Sequence, residues 1–303
     1  MTTETSGSGD ISRTLELLWG TGDRPSRGPK PGLTLDRIVT AAVEIADAEG
    51  LAAVSMRRLS TELGTGTMTL YRYVPGKAEL LDLMLDRVGG QPPATKEPEA
   101  DWRAAIDALA RGYLTLYREH PWLLKVNQAR TVLGPSALRG LEHALMGLQD
   151  MGLTDPELIS VIIATQSFVM GIARMEIETI EAAKATGRSD EDFWEGQRPF
   201  LERAMASGEY PRMAGLAEDT FSRDFDHFAF GLRRLVDGLE VLVRDRTSSP
   251  AGATGDASSP AAATGDASSL AGATGRTSSP ARATGGTSSP ARATGGTSSP
   301  AGD

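Results

Sequence analysis

The 303-residue sequence contains no cysteine, three histidines and few aromatic residues, which make up 5% of the chain. Without cysteine, neither a disulfide bond nor a thiolate zinc site is possible. The histidines His120, His143 and His227 are far apart, and Asp224 with His227 gives a single carboxylate–histidine pair without a second copy. Phosphate loops, dinucleotide-binding glycine motifs and nucleophile–base pairs are also missing. The sequence therefore predicts no catalytic residues, no metal site and no cofactor.

Long hydrophobic runs are missing as well. The longest apolar stretches, such as VIIA at residues 161–164, are far shorter than the roughly 20 residues that a membrane span needs. The first residues show no basic region followed by an apolar run, so no secretory signal is expected. These absences predict a soluble, cytoplasmic protein without a membrane partner.

The last fifth of the chain lacks the residues that build a core. From Thr247 it repeats with a period of ten, as in TSSPARATGG, and Leu270 is the only large aliphatic residue in the repeats. Such a segment buries too little apolar surface to offset its ordering entropy. A packed solenoid would need large apolar residues in each repeat. Residues 247–303 are therefore predicted to be a disordered tail.

Positive charge is scarce overall but locally concentrated. The net charge is −9, yet residues 55–77 contain four basic residues and one acidic residue. The preceding segment RPSRGPKPG adds Arg24, Arg27 and Lys30, and its prolines and glycines predict an extended chain. Residues 1–32 are predicted to be a partly disordered arm. The distribution of charge, more than its sum, indicates whether a protein can bind nucleic acid.

The remaining sequence shows helical periodicity without convincing strand alternation, which predicts an all-α fold. Residues 33–90 are expected to form one domain, in which Thr34 and Ser55 are N-caps and Gly64 ends a helix. The predicted helices of this domain are residues 35–49, 56–63, 67–74 and 77–88. A helix, a short helix, a glycine turn and a second short helix form the helix-turn-helix pattern.

The second short helix and its flanks mix hydroxyls, phenols and cations. Small hydroxyls and a methyl-ended side chain at the start of a short helix can reach base edges in the major groove. Phenols further along can reach sugar or phosphate, and Lys77 lies where a helix N-terminus suits a phosphate. The candidate DNA-binding residues are Arg57, Thr67, Met68, Thr69, Tyr71, Tyr73 and Lys77. The alternative is a small helical domain with a tyrosine-lined surface.

Residues 100–246 are predicted to form a larger helical domain for effector binding and dimerisation. Its predicted helices are residues 101–119, 122–132, 136–151, 155–184, 190–206 and 219–245. Residues 158–177 are apolar on nearly all sides, which indicates burial on more than one side.

The last of these helices carries an apolar seam with strict four–three spacing, the pattern of a helix packed against another helix. The seam consists of Phe221, Phe225, Phe228, Leu232, Leu235, Leu239 and Leu242. Ala229, Val236 and Val243 widen it, and a homodimer interface is predicted here. Packing within the subunit is the alternative.

Two segments resemble the tetracycline-repressor (TetR) family. Residues 33–86 are similar to the family's DNA-binding domain, and LYRYVPGK at residues 70–77 is close to its hallmark. Residues 225–243 resemble the last helix of members with a tetracycline-repressor-like C-terminal domain. The resemblance implies a dimer built from the last two long helices, contact of the arm with the minor groove, and DNA contacts by the candidates above other than Tyr73.

The resemblance also implies an effector pocket inside the C-terminal domain. Candidates are polar or aromatic residues embedded in apolar helices, namely Tyr113, Tyr117, Trp122, Gln128, His143, Gln166 and Met170. Tyr113 and Tyr117 lie one helical turn apart and suit core packing equally well.

The sequence is thus interpreted as a homodimeric, ligand-responsive regulator that binds double-stranded operator DNA. Repression is the expected mode, with recognition helices about 34–36 Å apart on a palindrome. A small apolar effector would release the operator by favouring another dimer shape. Two alternatives are an all-α small-molecule carrier or enzyme without operator binding, and an adaptor that binds partners through its tail.

Overall fold

The computed structural model describes residues 4–20, 32–90, 101–217, 220 and 225–248, and within these ranges the fold is all-α. The α-helices are α1 (Ile11–Trp19), α2 (Leu35–Glu49), α3 (Met56–Glu62), α4 (Thr67–Leu70), α5 (Lys77–Gly89), α6 (Trp102–Glu119), α7 (Pro135–Leu148), α8 (Asp155–Thr186), α9 (Asp190–Ala206), α10 (Pro211–Ala214) and α11 (His227–Ser248). Short 3-10 helices are formed by Leu51–Ala53, Pro121–Lys125 and Gln149–Met151. The predicted tail from residue 249 onward lies outside the described residues, as do Arg24, Arg27, Lys30, Phe221 and Asp224.

Side-chain N-caps fix the starts of two N-terminal helices. The side chain of Thr34 accepts a hydrogen bond from the backbone of Arg37 at the start of α2, and Ser55 does the same for Arg58 at the start of α3. Both N-cap predictions are confirmed. Because a cap satisfies an N–H group that has no partner within the helix, it fixes the helix start. Ile38, Leu59 and Leu80 are fully buried between α2, α3 and α5.

Part of the segment predicted to be a partly disordered arm, residues 4–20, forms regular secondary structure. Asp10 caps α1, and α1 packs against α5. Before it, β1 (Glu4–Thr5) pairs in parallel with β2 (Val126–Asn127), with Glu4 opposite Val126 and Thr5 opposite Asn127. The sequence predicted neither the helix nor the strand pair.

The helix predicted over residues 122–132 is wrong. The chain forms the 3-10 helix Pro121–Lys125 and then β2. The indole of Trp122 donates to Asp47 of α2, which holds this segment against the N-terminal domain. The side chain of Asn127 accepts from the backbone of Ala129, a local bond that competes with helix formation.

In the C-terminal part α6 packs along α8, and α7 and α11 flank this pair. Thr154 and Glu157 form a reciprocal capping box at the start of α8. The last helix begins at His227 and not near residue 219, because Asp226 accepts from the backbone of Ala229.

Helix α8 has an unusually apolar surface. By length and composition alone it is long and apolar enough to cross a membrane. Only 28% of its most apolar stretch of 18 residues is buried inside the protein. The predicted burial on several sides is therefore incomplete within one protomer. Ile163 and Met175 are exposed on it.

Candidate nucleic-acid interface and effector site

Helices α3 and α4 form a helix-turn-helix with a tight turn. Gly64 follows α3 with φ +62°, a left-handed conformation that favours glycine. The backbone N–H of Thr65 donates to the carbonyl of Ser60, 3.0 Å away. Leu70 and Val74 are fully buried, so α4 and the turn after it are anchored on the domain core. The opposite side of α4 faces outward.

The exposed side chains of this unit suit contact with DNA. Met68 is 77% exposed and Tyr71 is 45% exposed, although both are large and apolar enough to be buried elsewhere. Arg57 on α3 and Arg72 after α4 are also exposed. The sequence prediction omitted Arg72, whose place between two tyrosines in LYRYVPGK was the available signal.

Two predicted contacts use their hydroxyls within the domain. Thr67 donates to the Ser60 hydroxyl at 3.1 Å, and Ser60 donates to the carbonyl of Arg57 at 2.8 Å. The Tyr73 hydroxyl donates to the carbonyl of Leu33 at 3.2 Å. These bonds join α4 to α3 and the end of the helix-turn-helix to the start of the domain.

The cations of the unit differ in their surroundings. Arg58 lies between Glu49 and Glu62, with nitrogen–oxygen distances of 2.7 Å to each. The guanidinium of Arg58 donates hydrogen bonds to both carboxylates, which raises the pKa of Arg58 above its ordinary value. The ammonium of Lys77, in the first turn of α5, lies 2.7 Å from the carboxylate of Glu4.

Three of the predicted effector residues meet between α6 and α8. The rings of Tyr113 and Tyr117 are stacked with centroids 6.4 Å apart, and the Gln166 amide donates to the Tyr117 hydroxyl at 3.3 Å. Burial raises the pKa of Tyr113 to about 12, and burial also raises the pKa of Tyr117. Met170 lies one turn further along α8 and packs against the core.

The other three predicted effector residues lie elsewhere. Trp122 is buried, and its indole donates to Asp47 at 2.8 Å. Gln128 donates to the carbonyl of Leu123 at 3.3 Å, and His143 is half-buried on α7. His120, one of the three histidines that are far apart in the sequence, lies 2.7 Å from the same Asp47 carboxylate. Asp47 thus joins α2 to the segment that follows α6.

Two family models match the chain. Residues 38–84 match the model described as bacterial regulatory proteins, tetR family. Residues 93–243 match the tetracyclin repressor-like C-terminal domain. The chain belongs to the TetR family. As a member of this family it is a ligand-responsive, DNA-binding transcriptional regulator, and α3 with α4 is its helix-turn-helix.

Individual relatives agree with this assignment. The HTH-type transcriptional repressor DrrR1 of Streptomyces coeruleorubidus is 62% identical over 252 residues, which cover 82% of this chain and 93% of the relative. An HTH-type transcriptional regulator of Saccharopolyspora erythraea is 30% identical over 73% of this chain and 90% of its own length.

Solved structures of a TetR family protein show the same fold. ActR of Streptomyces coelicolor in complex with actinorhodin is 31% identical, with a TM-score of 0.57 over 71% of this chain and 99% of ActR. ActR in complex with (S)-DNPA is also 31% identical, with a TM-score of 0.54 over 71% of this chain and 100% of ActR.

Proposed function

We propose that this TetR-family chain is a cytoplasmic repressor that binds a palindromic operator as a homodimer and releases it when a small apolar molecule binds in the C-terminal domain. The 62% identical relative is named a transcriptional repressor, which supports repression as the mode of regulation. The observation that carries the proposal is the outward face of the helix-turn-helix, where Met68 and Tyr71 are exposed beside two arginines.

The proposed contacts divide into base readers and backbone contacts. Met68 and Thr69 lie at the start of α4 and are assigned to base edges. The methyl group of Met68 can contact a thymine methyl, and the hydroxyl of Thr69 can hydrogen-bond a polar base edge. Arg57, Tyr71 and Arg72 are assigned to bases or backbone around them. Lys77 is assigned to a phosphate at the N-terminus of α5. Thr67 is assigned to positioning α4, and Tyr73 to holding the end of the helix-turn-helix on Leu33, because their hydroxyls already bond within the domain.

The proposed dimer covers the exposed apolar residues of α8 and α11. Within the predicted seam, Phe228 and Leu232 are buried inside the protomer, and Phe228 stacks on Phe168 with centroids 6.1 Å apart. The uncovered face consists of large apolar side chains that stay exposed. They include the seam residues Phe225 and Leu242, at 49% and 37%, Phe230 and Val241, at 54% and 52%, and Ile163 and Met175 on α8. A two-fold axis would place the same faces of both copies in contact. Such an interface also accounts for the apolar surface of α8 without a membrane.

The proposed effector site lies between α6 and α8 at Tyr113, Tyr117 and Gln166. A ligand that inserts between these helices would favour one packing of α6 and the segment that follows it. His120 and Trp122 of that segment bond to Asp47 of α2, so the change would reach the DNA-binding helices. The ActR complexes with actinorhodin and (S)-DNPA support a ligand site in this protein fold.

Selection of bound sequences from randomised duplex DNA tests the proposal, and a palindromic consensus is expected. Lys77→Ala should weaken binding to the consensus and to random DNA alike, and lower the salt slope by about one unit per contact, so about two for a dimer. Lys184→Ala is the matched control, because this exposed lysine lies in the last turn of α8. Failure to enrich any sequence would contradict operator binding.

A further inference from the structure

The N-terminal strap, defined here as residues 4–20, is held on one side by the C-terminal part of the chain. Glu4 and Thr5 form the strand that pairs with Val126 and Asn127. The backbone N–H of Ser6 continues this pairing, because it donates to the carbonyl of Asn127 at 3.0 Å. The strap therefore has a fixed register on β2.

The other side of the strap is held by buried carboxylates of α5. The Ser6 hydroxyl donates to Asp82 at 2.7 Å, and the Gly7 backbone N–H donates to the same oxygen at 3.0 Å. The backbone N–H of Asp10 donates to Glu79 at 2.9 Å. Asp82 and Glu79 are 2% and 8% exposed. A buried carboxylate without donors would be costly, so these bonds make the strap part of the environment that α5 requires.

Two glycines show that the approach is close. Gly7 has φ +68°, and a Cβ atom at this position would lie 3.3 Å from the carbonyl oxygen of Arg130. At Gly9 a Cβ atom would lie 2.4 Å from the Glu79 carboxylate. A side chain at Gly9 would clash with Glu79 and Ala78 at the start of α5, whereas one at Gly7 would press on the chain that follows β2.

This docking directs Glu4 onto Lys77. In an extended chain, residues two apart point to the same side. Glu4 and Ser6 both reach α5 in this way, Ser6 at Asp82 and Glu4 at Lys77, where the nitrogen–oxygen distance is 2.7 Å. A carboxylate therefore lies against the cation to which an operator phosphate is assigned above. A phosphate at the same ammonium would bring a second negative charge beside Glu4.

We propose that the strap is an autoinhibitory element in which Glu4 competes with an operator phosphate for Lys77. The inference rests on the proposed function. Operator binding then requires Glu4 to leave Lys77, and the strap's pairing with β2 makes that step sensitive to the C-terminal part of the chain. The segment Pro121–Lys125 that leads into β2 packs against α6 and α8, which form the proposed effector site.

The test compares operator affinity in a double-mutant cycle of the full-length chain. Glu4→Gln should tighten binding by about two- to five-fold for each half-site, the range expected for a partly exposed ion pair. In a Lys77→Ala background the same substitution should have no effect. The gain should also shrink as salt concentration rises, because salt screens exposed charges.

Glu16→Gln is the matched control, since it changes the net charge equally within the strap but lies beside Arg13, 2.7 Å away. An unchanged affinity in Glu4→Gln would overturn the inference, as would an equal gain with and without Lys77. Either result leaves the proposed function standing if the unmodified chain still binds its palindrome. A chain that binds no duplex would instead remove the proposed function, and this inference with it.

Discussion

Helices α5 and α9 are two helices of similar length with opposite relations to the protomer. Nine of the 13 residues of α5 are buried. By contrast, none of the 17 residues Asp190–Ala206 of α9 is buried. Its large aromatic side chains Phe193, Trp194 and Phe200 are all more than half exposed. Large aromatic side chains in contact with water are costly when they are clustered. Helix α5 is therefore buried within its own chain, whereas the apolar side chains of α9 stay exposed within the part of the chain that the structure describes.

The acidic residues of the two helices show the same contrast. Glu79, Asp82 and Asp86 of α5 are buried, and each accepts hydrogen bonds from backbone N–H groups of another element. Asp86 accepts from the first turn of α7, so α5 is joined to both the strap and α7. The acidic residues in the first turn of α9 complement the dipole of their own helix. Helix α5 thus joins the strap and α7 within one protomer, whereas α8, α9 and α11 leave large apolar residues exposed among the described residues.

The largest expected effect comes from a charge on the uncovered face. Phe230→Asp should cost about 2–4 kcal/mol of dimer stability, because the interface would lose a large aromatic ring and gain a desolvated carboxylate. Arg234, whose guanidinium lies 5.6 Å from the Phe230 ring, would offset only part of this loss. Sedimentation should show monomer, and operator affinity should fall with it. Helicity by circular dichroism should persist, since Phe230 is 54% exposed in the protomer.

Trp19→Asp is the control for this substitution, because Trp19 is also a large exposed residue but lies on α1. It should leave the dimer intact. A dimeric Phe230→Asp variant would show that this face of α11 is not the interface.

The next effect compares two methionines. Met84 on α5 is fully buried, and Met84→Ala should lower the free energy of unfolding by about 2–5 kcal/mol through lost packing and a cavity. Met68→Ala removes the same atoms from an exposed site and should change stability by less than about 0.5 kcal/mol. Chemical denaturation measures both. Equal losses of stability would mean that Met68 is also packed within the protein.

A smaller effect is expected at alkaline pH. Burial raises the pKa of Tyr113 from 10.0 to about 12, so the unfolded chain ionises at lower pH than the folded protein. Stability that is present below pH 10 is therefore lost as pH rises towards 12, by about 1 kcal/mol at pH 11. Tyr113→Phe should remove this part of the loss, measured by denaturation at several pH values. An unchanged curve for Tyr113→Phe would contradict burial of this phenol.

Much of the fold could be predicted because its signals are local. The caps Thr34 and Ser55 fixed the starts of α2 and α3, and the helix predicted over residues 190–206 is confirmed as α9. A cap and the turn that follows it are a few residues apart, so one stretch of sequence contains the complete signal. The all-α class and the helix-turn-helix followed from such stretches.

The contacts that connect distant parts could not be predicted. Ser6 and Asp82 are 76 residues apart, and Trp122 is 75 residues from Asp47. In the sequence, Ser6 lies among small polar residues typical of a flexible terminus. The one local signal was Asp10 before an amphipathic stretch, which marks the start of α1. The residues predicted to line the effector site do not all lie together, again because of a contact between distant parts of the chain. Trp122 bonds to Asp47 of the N-terminal domain instead of facing Tyr117.

The contrast between α5 and α9 recurs on a small scale within α4, where it gives the smallest predicted effects. The hydroxyl of Thr67 donates a hydrogen bond to Ser60, whereas Thr69 lies on the side of α4 that is assigned to base edges. Thr67→Val should lower the free energy of unfolding by about 1 kcal/mol, the usual net value of a hydrogen bond, without altering the preferred sequence. Thr69→Val should leave stability unchanged and relax base preference at one symmetric position, at about 1 kcal/mol per half-site. Denaturation and repeated selection from randomised DNA measure the two outcomes. If Thr67→Val alters base preference while Thr69→Val alters stability, the roles of the two threonines are the reverse of those assigned here.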